Sequence, residues 1–218
     1  MKRPKNLYHI SLVGGAFSGK SSCLAYCEKH LAEHFKNSER KVTIFFAQEE
    51  ATKQIKRNPS IDHTTLHFQF MVLSGQLASF HQASVYAEQH PNEVVFLISD
   101  RSALEGMIYL KAEDLDAIGW NYMCDLYDHF FFFDSYLDHC KNLMSLNLAS
   151  GNVYRKETSA IELIQLANKT KSFYLGSGMV DPEKITMIRS CDSIEGKQNF
   201  VKDLLIEYIH KTIKEAII

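Results

Sequence analysis

Between the apolar run Leu7 to Val13 and a helical pattern lies the octapeptide Gly14-Gly15-Ala16-Phe17-Ser18-Gly19-Lys20-Ser21. A G-x-x-x-x-G-K-S turn needs a strand before it and a helix after it, so it commits the start of the chain to a strand–turn–helix unit. The helix is predicted from Leu24, Cys27, Leu31 and Phe35, at spacings of three and four, and Asn37-Ser38 closes it. Further strands are predicted at Lys41–Ala47, Val94–Ser99, His129–Phe133 and Ile185–Ile188, rich in β-branched and aromatic residues. Helical patterns over His63–Gln89, Ala112–Leu126, Glu157–Tyr174 and Phe200–Ile217 separate them, and Asp138–Arg155 has no strong period. Alternating strands and helices with apolar strand interiors predict an α/β fold. The expected architecture is a three-layer α/β/α sandwich on a parallel five-stranded sheet, with a small helical lid over about residues 138–176 of a single domain spanning 1–218.

The octapeptide is a complete Walker A motif, or P-loop, and predicts a phosphate cradle running from Gly14 through Gly15, Ala16, Phe17, Ser18, Gly19, Lys20 and Ser21 to Ser22. Gly14 and Gly19 supply dihedral angles closed to other residues. Backbone N–H groups and the following helix N-terminus then face the anion. Lys20 is expected to reach the β- and γ-phosphates of ATP or GTP, and the Ser21 hydroxyl to ligate Mg²⁺.

Asp100-Arg101 ends the third strand, at the sheet edge where α/β proteins bind ligands. A carboxylate there can hold Mg²⁺ or take a proton from an attacking hydroxyl, and the arginine can clamp a phosphate. Gln48-Glu49-Glu50 after the second strand offers another general base, so Glu50 and Asp100 are both candidates for that role. Arg155-Lys156-Glu157 follows the irregular stretch and can bring positive charge over a transferring phosphate. Two GTPase-like strings fail. Asn168-Lys169-Thr170-Lys171 has Lys171 where a guanine-reading carboxylate must stand, and Asp116-Ala117-Ile118-Gly119 has no apolar strand leading into it.

Composition bounds the remaining classes. The 218 residues carry a net charge of −2, which gives no global attraction to nucleic acid or anionic membrane. Lys2, Arg3 and Lys5 precede no apolar leader, and no run is long enough to span a bilayer, so a cytoplasmic protein is expected. Cys23, Cys27, Cys124, Cys140 and Cys191 form no CxxC pair and predict reduced thiols. His63 and His67 lack the glutamate of an HExxH site.

Four segments together resemble the small kinase-like P-loop domains of AAA type, akin to ribosylnicotinamide kinases and more distantly to deoxynucleoside and thymidylate kinases. They are the GG-x-x-SGKS start, Glu50-Ala51-Thr52-Lys53, Asp100-Arg101, and Arg155 to Glu157 ahead of a helix ending Phe173-Tyr174-Leu175-Gly176. The resemblance implies that Glu50 looks onto the phosphate acceptor, although Lys53 stands where arginine is usual. It implies that Asp100 and Arg101 serve Mg²⁺ and phosphate, that Arg155 belongs to a lid, and that the helix over His63–Gln89, with Phe68, Phe70, Gln76 and Phe80, supplies the acceptor pocket; an aromatic stripe on a helix is more often a core face. The expected function is a Mg²⁺-dependent phosphotransferase using ATP rather than GTP, with Lys20, Glu50, Asp100, Arg101 and Arg155 at the reaction. Its partners would be the nucleotide and a nucleoside, nucleotide or similar small acceptor, with a homodimer allowed. A nucleotide-dependent switch with slow hydrolysis is the alternative.

Overall fold

The computed structural model describes residues 3–15, 18–62, 65–110, 123–134, 160–188, 191 and 193–216. Five parallel strands form one sheet: β1 (Leu7–Gly14), β2 (Val42–Ala47), β3 (Val94–Asp100), β4 (His129–Phe133) and β5 (Ile185–Ile188), in the order β2-β3-β1-β4-β5. The described helices are α1 (Lys20–His34), α2 (Glu50–Arg57), α3 (Leu66–Gln89), α4 (Ala160–Gly176) and α5 (Ile194–Glu215), with 3-10 turns at Ala103–Ile108 and Pro182–Lys184. All five strands fall where the sequence predicts them. The helix α2 and the turn Ala103–Ile108 are additions, and α5 begins six residues before its apolar pattern because Ser193 caps it, its Oγ accepting from Gly196 N at 2.9 Å. Most of the helix predicted over Ala112–Leu126 and the span 138–159 lie outside the described residues.

Period-two alternation explains the layers. Phe130 and Phe132 join Val95, Leu97, Phe80, Ala83, Ala87 and Tyr174 in one core, under α3 and α4. Phe131 and Phe133 join Phe96, Ile98, Cys23, Cys27, Leu31, Val201 and Leu205 in the other, under α1 and α5. A strand buried on both faces reads as a continuous apolar run, as HFFFF and VVFLIS do. Tyr174, at the end of α4, is buried against Phe130 and Phe132, and its hydroxyl lies 2.5 Å from Ser102 Oγ. That end of the predicted lid therefore belongs to a helical layer of the sandwich. Among the described residues no helix is long and apolar enough to cross a membrane.

The chain leaves β1 towards β2 on one side and later returns to build β4 and β5 on the other. The carboxyl end of β1 is thus a topological switch point, where neighbouring connections diverge and leave a crevice. Register places Asp100 opposite Leu12 and Phe133 opposite Gly14, so the ends of β3 and β4 flank the turn after β1.

Beneath that end, His9 interrupts the apolar run of β1. Its ring is buried beside Tyr127 and Phe80, with Nδ1 3.2 Å from Leu126 O and Nε2 3.1 Å from Ser99 Oγ. Burial, and then the charge of Arg3, push its pKa down to about 3. Because the folded value lies below the unfolded one, the unfolded chain takes up a proton first as pH falls below about 6.5. Stability is therefore complete above that range and declines towards pH 3. Between pH 7 and pH 5, urea unfolding should lose about 2 kcal/mol through His9. The loss should flatten in His9→Gln; an equal pH slope in that variant would contradict the assignment.

Candidate functional site

The turn from β1 to α1 is built around two glycines with positive φ. Gly14 has φ 129° and Gly19 has φ 90°. At Gly14 a side chain is also excluded by contact, since a Cβ would lie 2.2 Å from the Phe133 carbonyl oxygen. Lys20, the first residue of α1, is buried and folds back over the turn. Its ammonium donates to the carbonyl oxygens of Gly14 at 2.8 Å and Gly15 at 2.7 Å, and to Ser18 Oγ at 3.2 Å. Burial, then Arg101, lower its pKa to about 8, against the opposing pull of Glu105, Asp100 and Glu49.

Next to it, the Ser21 hydroxyl donates to Asp100 Oδ2 at 2.5 Å. Asp100 is buried, and its other oxygen, Oδ1, has no hydrogen-bond partner. Burial raises its pKa, with Lys20 and Ser21 pulling the other way. An unsatisfied buried carboxylate oxygen beside a serine hydroxyl is costly unless another group uses it. The pair fits a Mg²⁺ ion, which takes few protein oxygens and fills its shell with water and phosphate. Among the described residues there is no group of three or more His, Cys, Asp or Glu arranged for a metal.

Arg101 follows with φ 72°, an uncommon conformation for a side chain of this size. Its backbone N–H continues the sheet by donating to Leu12 O at 2.9 Å. Its guanidinium is gripped from two sides, Nε against Glu49 and Nη1 2.6 Å from Glu105 Oε2. Burial disfavours its charge, but Glu49 and Glu105 more than compensate and hold its pKa well above the ordinary value. Glu105 also accepts from Gly14 N at 3.4 Å, which links the clamp to the glycine-rich turn.

Ser21, Asp100, Arg101 and Glu105 open onto a cavity of about 510 Å³ between α1, α2, α3 and the turn after β3. That volume suits a small organic molecule. Its wall includes Phe68, Val72, Ile55 and Tyr109 with the amides of Gln48, Gln69 and Gln76. Five carboxylates face it, Glu28, Glu49, Glu50, Asp100 and Glu105, against three cations, Lys53, Lys56 and Arg101. Glu50 accepts from Lys53 Nζ and Gln54 Nε2, each at 3.0 Å, and packs on α3 where Gly75 leaves room. A Cβ on Gly75 would come within 2.3 Å of the Glu50 side chain.

Of the residues singled out by sequence, Gly14, Gly15, Ser18 and Gly19 lie in one turn, and Lys20, Ser21 and Ser22 open the helix that follows it, with Asp100 beside Ser21. Glu50 and Arg101 lie on the adjoining cavity. Phe68 and Gln76 line the same cavity, whereas Phe80 is in the core and Phe70 is exposed on the helix surface. The helical stripe is thus divided, with core packing at Phe80 and cavity lining at Phe68. Ala16, Phe17, His63, Arg155, Lys156 and Glu157 lie outside the described residues. Sequence reasoning misses Glu105 altogether, although its i,i+4 spacing from Arg101 is a usable signal for an ion pair. No family model matches the chain, and no curated protein matches it in sequence.

Proposed function

We propose that the chain has the P-loop NTPase fold and acts as a Mg²⁺-dependent phosphotransferase, moving the γ-phosphate of ATP to a nucleoside, nucleotide or similar small acceptor. The observation that carries this reading is the meeting of Ser21 with Asp100, whose free Oδ1 faces no partner, beside Lys20 and the Gly14–Gly19 turn. Lys20 and the backbone N–H groups of the turn would hold the phosphate chain. Ser21 and Asp100 would hold Mg²⁺, which when bound would neutralise phosphate charge.

The cavity supports an acceptor beside that phosphate. Transfer to a hydroxyl needs a group to take its proton, and Glu50 and Asp100 both face the cavity. Arg101 is a less direct participant. Held between Glu49 and Glu105, it orients two carboxylates of the cavity wall and adds positive charge near Lys20.

The test is ATP turnover by the purified protein across a panel of nucleosides and nucleotides. Acceptor-dependent ADP formation is expected, lowered at least about 100-fold in Asp100→Asn, whose amide is a poor Mg²⁺ ligand and no base. Excess Mg²⁺ should partly restore that variant if metal binding dominates the loss. Nucleotide binding with slow hydrolysis and no acceptor dependence would instead make the protein a nucleotide-dependent switch. Absence of nucleotide binding would end both readings.

A further inference from the structure

Lys197 belongs to the first turn of α5, 176 residues beyond Ser21 in sequence, yet it reaches the glycine-rich turn. Its Nζ donates to the Ser18 carbonyl oxygen at 3.1 Å and stands 5.8 Å from the centre of the Phe133 ring. Its aliphatic stem crosses Gly19, with Cδ 3.6 Å from the position a Cβ would take there. The next two residues continue the attachment. Gln198 Nε2 donates to Ser22 O at 3.3 Å, and Asn199 Oδ1 accepts from Tyr26 OH at 2.8 Å. Ser193 and its bond to Gly196 fix the start of the helix that presents all three.

The Ser18 contact has a consequence for the anion site. In a trans peptide the C=O of one residue and the N–H of the next point in opposite directions, and none of the described peptide bonds is cis. Holding the Ser18 carbonyl towards α5 therefore turns the Gly19 N–H to the other side of the loop, away from Lys197. Lys20 takes up the carbonyl oxygens of Gly14 and Gly15. Carbonyl oxygens left near a phosphate would repel it, whereas converging N–H groups attract it. Two lysines from opposite ends of the chain thus occupy the carbonyl oxygens of Gly14, Gly15 and Ser18.

We propose that Lys197 is a positioning residue for polyphosphate binding: it holds the Ser18–Gly19 peptide so that Gly19 N–H faces the phosphates, and adds a second ammonium to the loop. This rests on the phosphate-binding reading of the turn. The probes are Mg²⁺·ATP and inorganic tripolyphosphate, measured by titration calorimetry on the full chain. Lys197→Met keeps the stem over Gly19 and removes donor and charge; Lys197→Arg keeps both. Lys197→Met should weaken both probes about tenfold with an unfolding midpoint within about 2 °C of wild type, and Lys197→Arg should recover most of the affinity. Wild-type affinity in Lys197→Met overturns the proposal, as does a loss that merely follows a fall in the midpoint or that arginine fails to rescue. Binding by wild type that disappears in Lys20→Ala leaves the phosphate reading standing in either case. A wild-type protein that binds neither probe defeats that reading and this proposal with it.

Discussion

Lys20→Ala is expected to weaken Mg²⁺·ATP binding by at least about 100-fold, the equivalent of losing two charge-assisted hydrogen bonds. The substitution removes the one ammonium buried within the turn, and it leaves the carbonyl oxygens of Gly14 and Gly15 without their donor. The wild-type protein should also show a pH dependence that the variant lacks. Free Lys20 has its pKa lowered to about 8, so its neutral form accumulates above that pH. A phosphate chain favours the charged form, and binding must then include uptake of a proton. Affinity should be flat below pH 8 and fall by up to about tenfold for each unit above it. Calorimetry from pH 7 to 9.5 reads both effects. A pH-independent wild type, or a Lys20→Ala variant that binds as well, would remove Lys20 from the role assigned to it.

The second large effect is structural. Gly14→Ala should destabilise the fold by about 3–5 kcal/mol, a large share of the usual stability of a domain. Two penalties coincide there. A φ of 129° is closed to alanine, and the new Cβ would meet the Phe133 carbonyl at 2.2 Å. The clash is with backbone of the neighbouring strand, so no rotamer change relieves it and β1 must part from β4. Gly19→Ala provides the comparison. Its φ of 90° is also unfavourable, but the nearest atom to the new Cβ is Lys197 Cδ at an ordinary 3.6 Å. Only the backbone term applies, about 1–2 kcal/mol. Urea denaturation of both variants should rank them in that order. Equal losses would mean that the β1–β4 approach is looser than described.

The strands were legible because each is a local pattern. HFFFF and VVFLIS need no partner to be recognised as doubly buried strands. The helix α2 was not legible. Its eight residues, Glu50–Arg57, carry little apolar surface beyond Ile55, and burial there falls on Glu50 and Gln54. A helix whose buried face is polar gives no hydrophobic period to read. The 3-10 turn Ala103–Ile108 is too short for any period, so only the spacing of Glu105 from Arg101 points to it.

The candidate site divides along the same line. Gly14 and Gly19 could be read directly, since glycines announce the backbone they permit. Asp100 and Arg101 could be located at a strand end, though not given partners. The contacts that give the site its character join residues far apart: Ser21 with Asp100, Glu49 with Arg101, Glu50 beside Gly75, and Lys197 with Ser18.

Local pattern was thus enough for the parallel α/β class and for the two positive-φ glycines of one turn, because periodicity and glycine conformation act within a few residues. What stands around that turn depends on the packing of the whole fold. The order β2-β3-β1-β4-β5 sets β3 and β4 on either side of β1, and the packing of α5 on α1 carries Lys197 to the loop. Strand order and helix packing follow from burying both faces of the whole sheet at once, a condition that no local stretch of chain expresses.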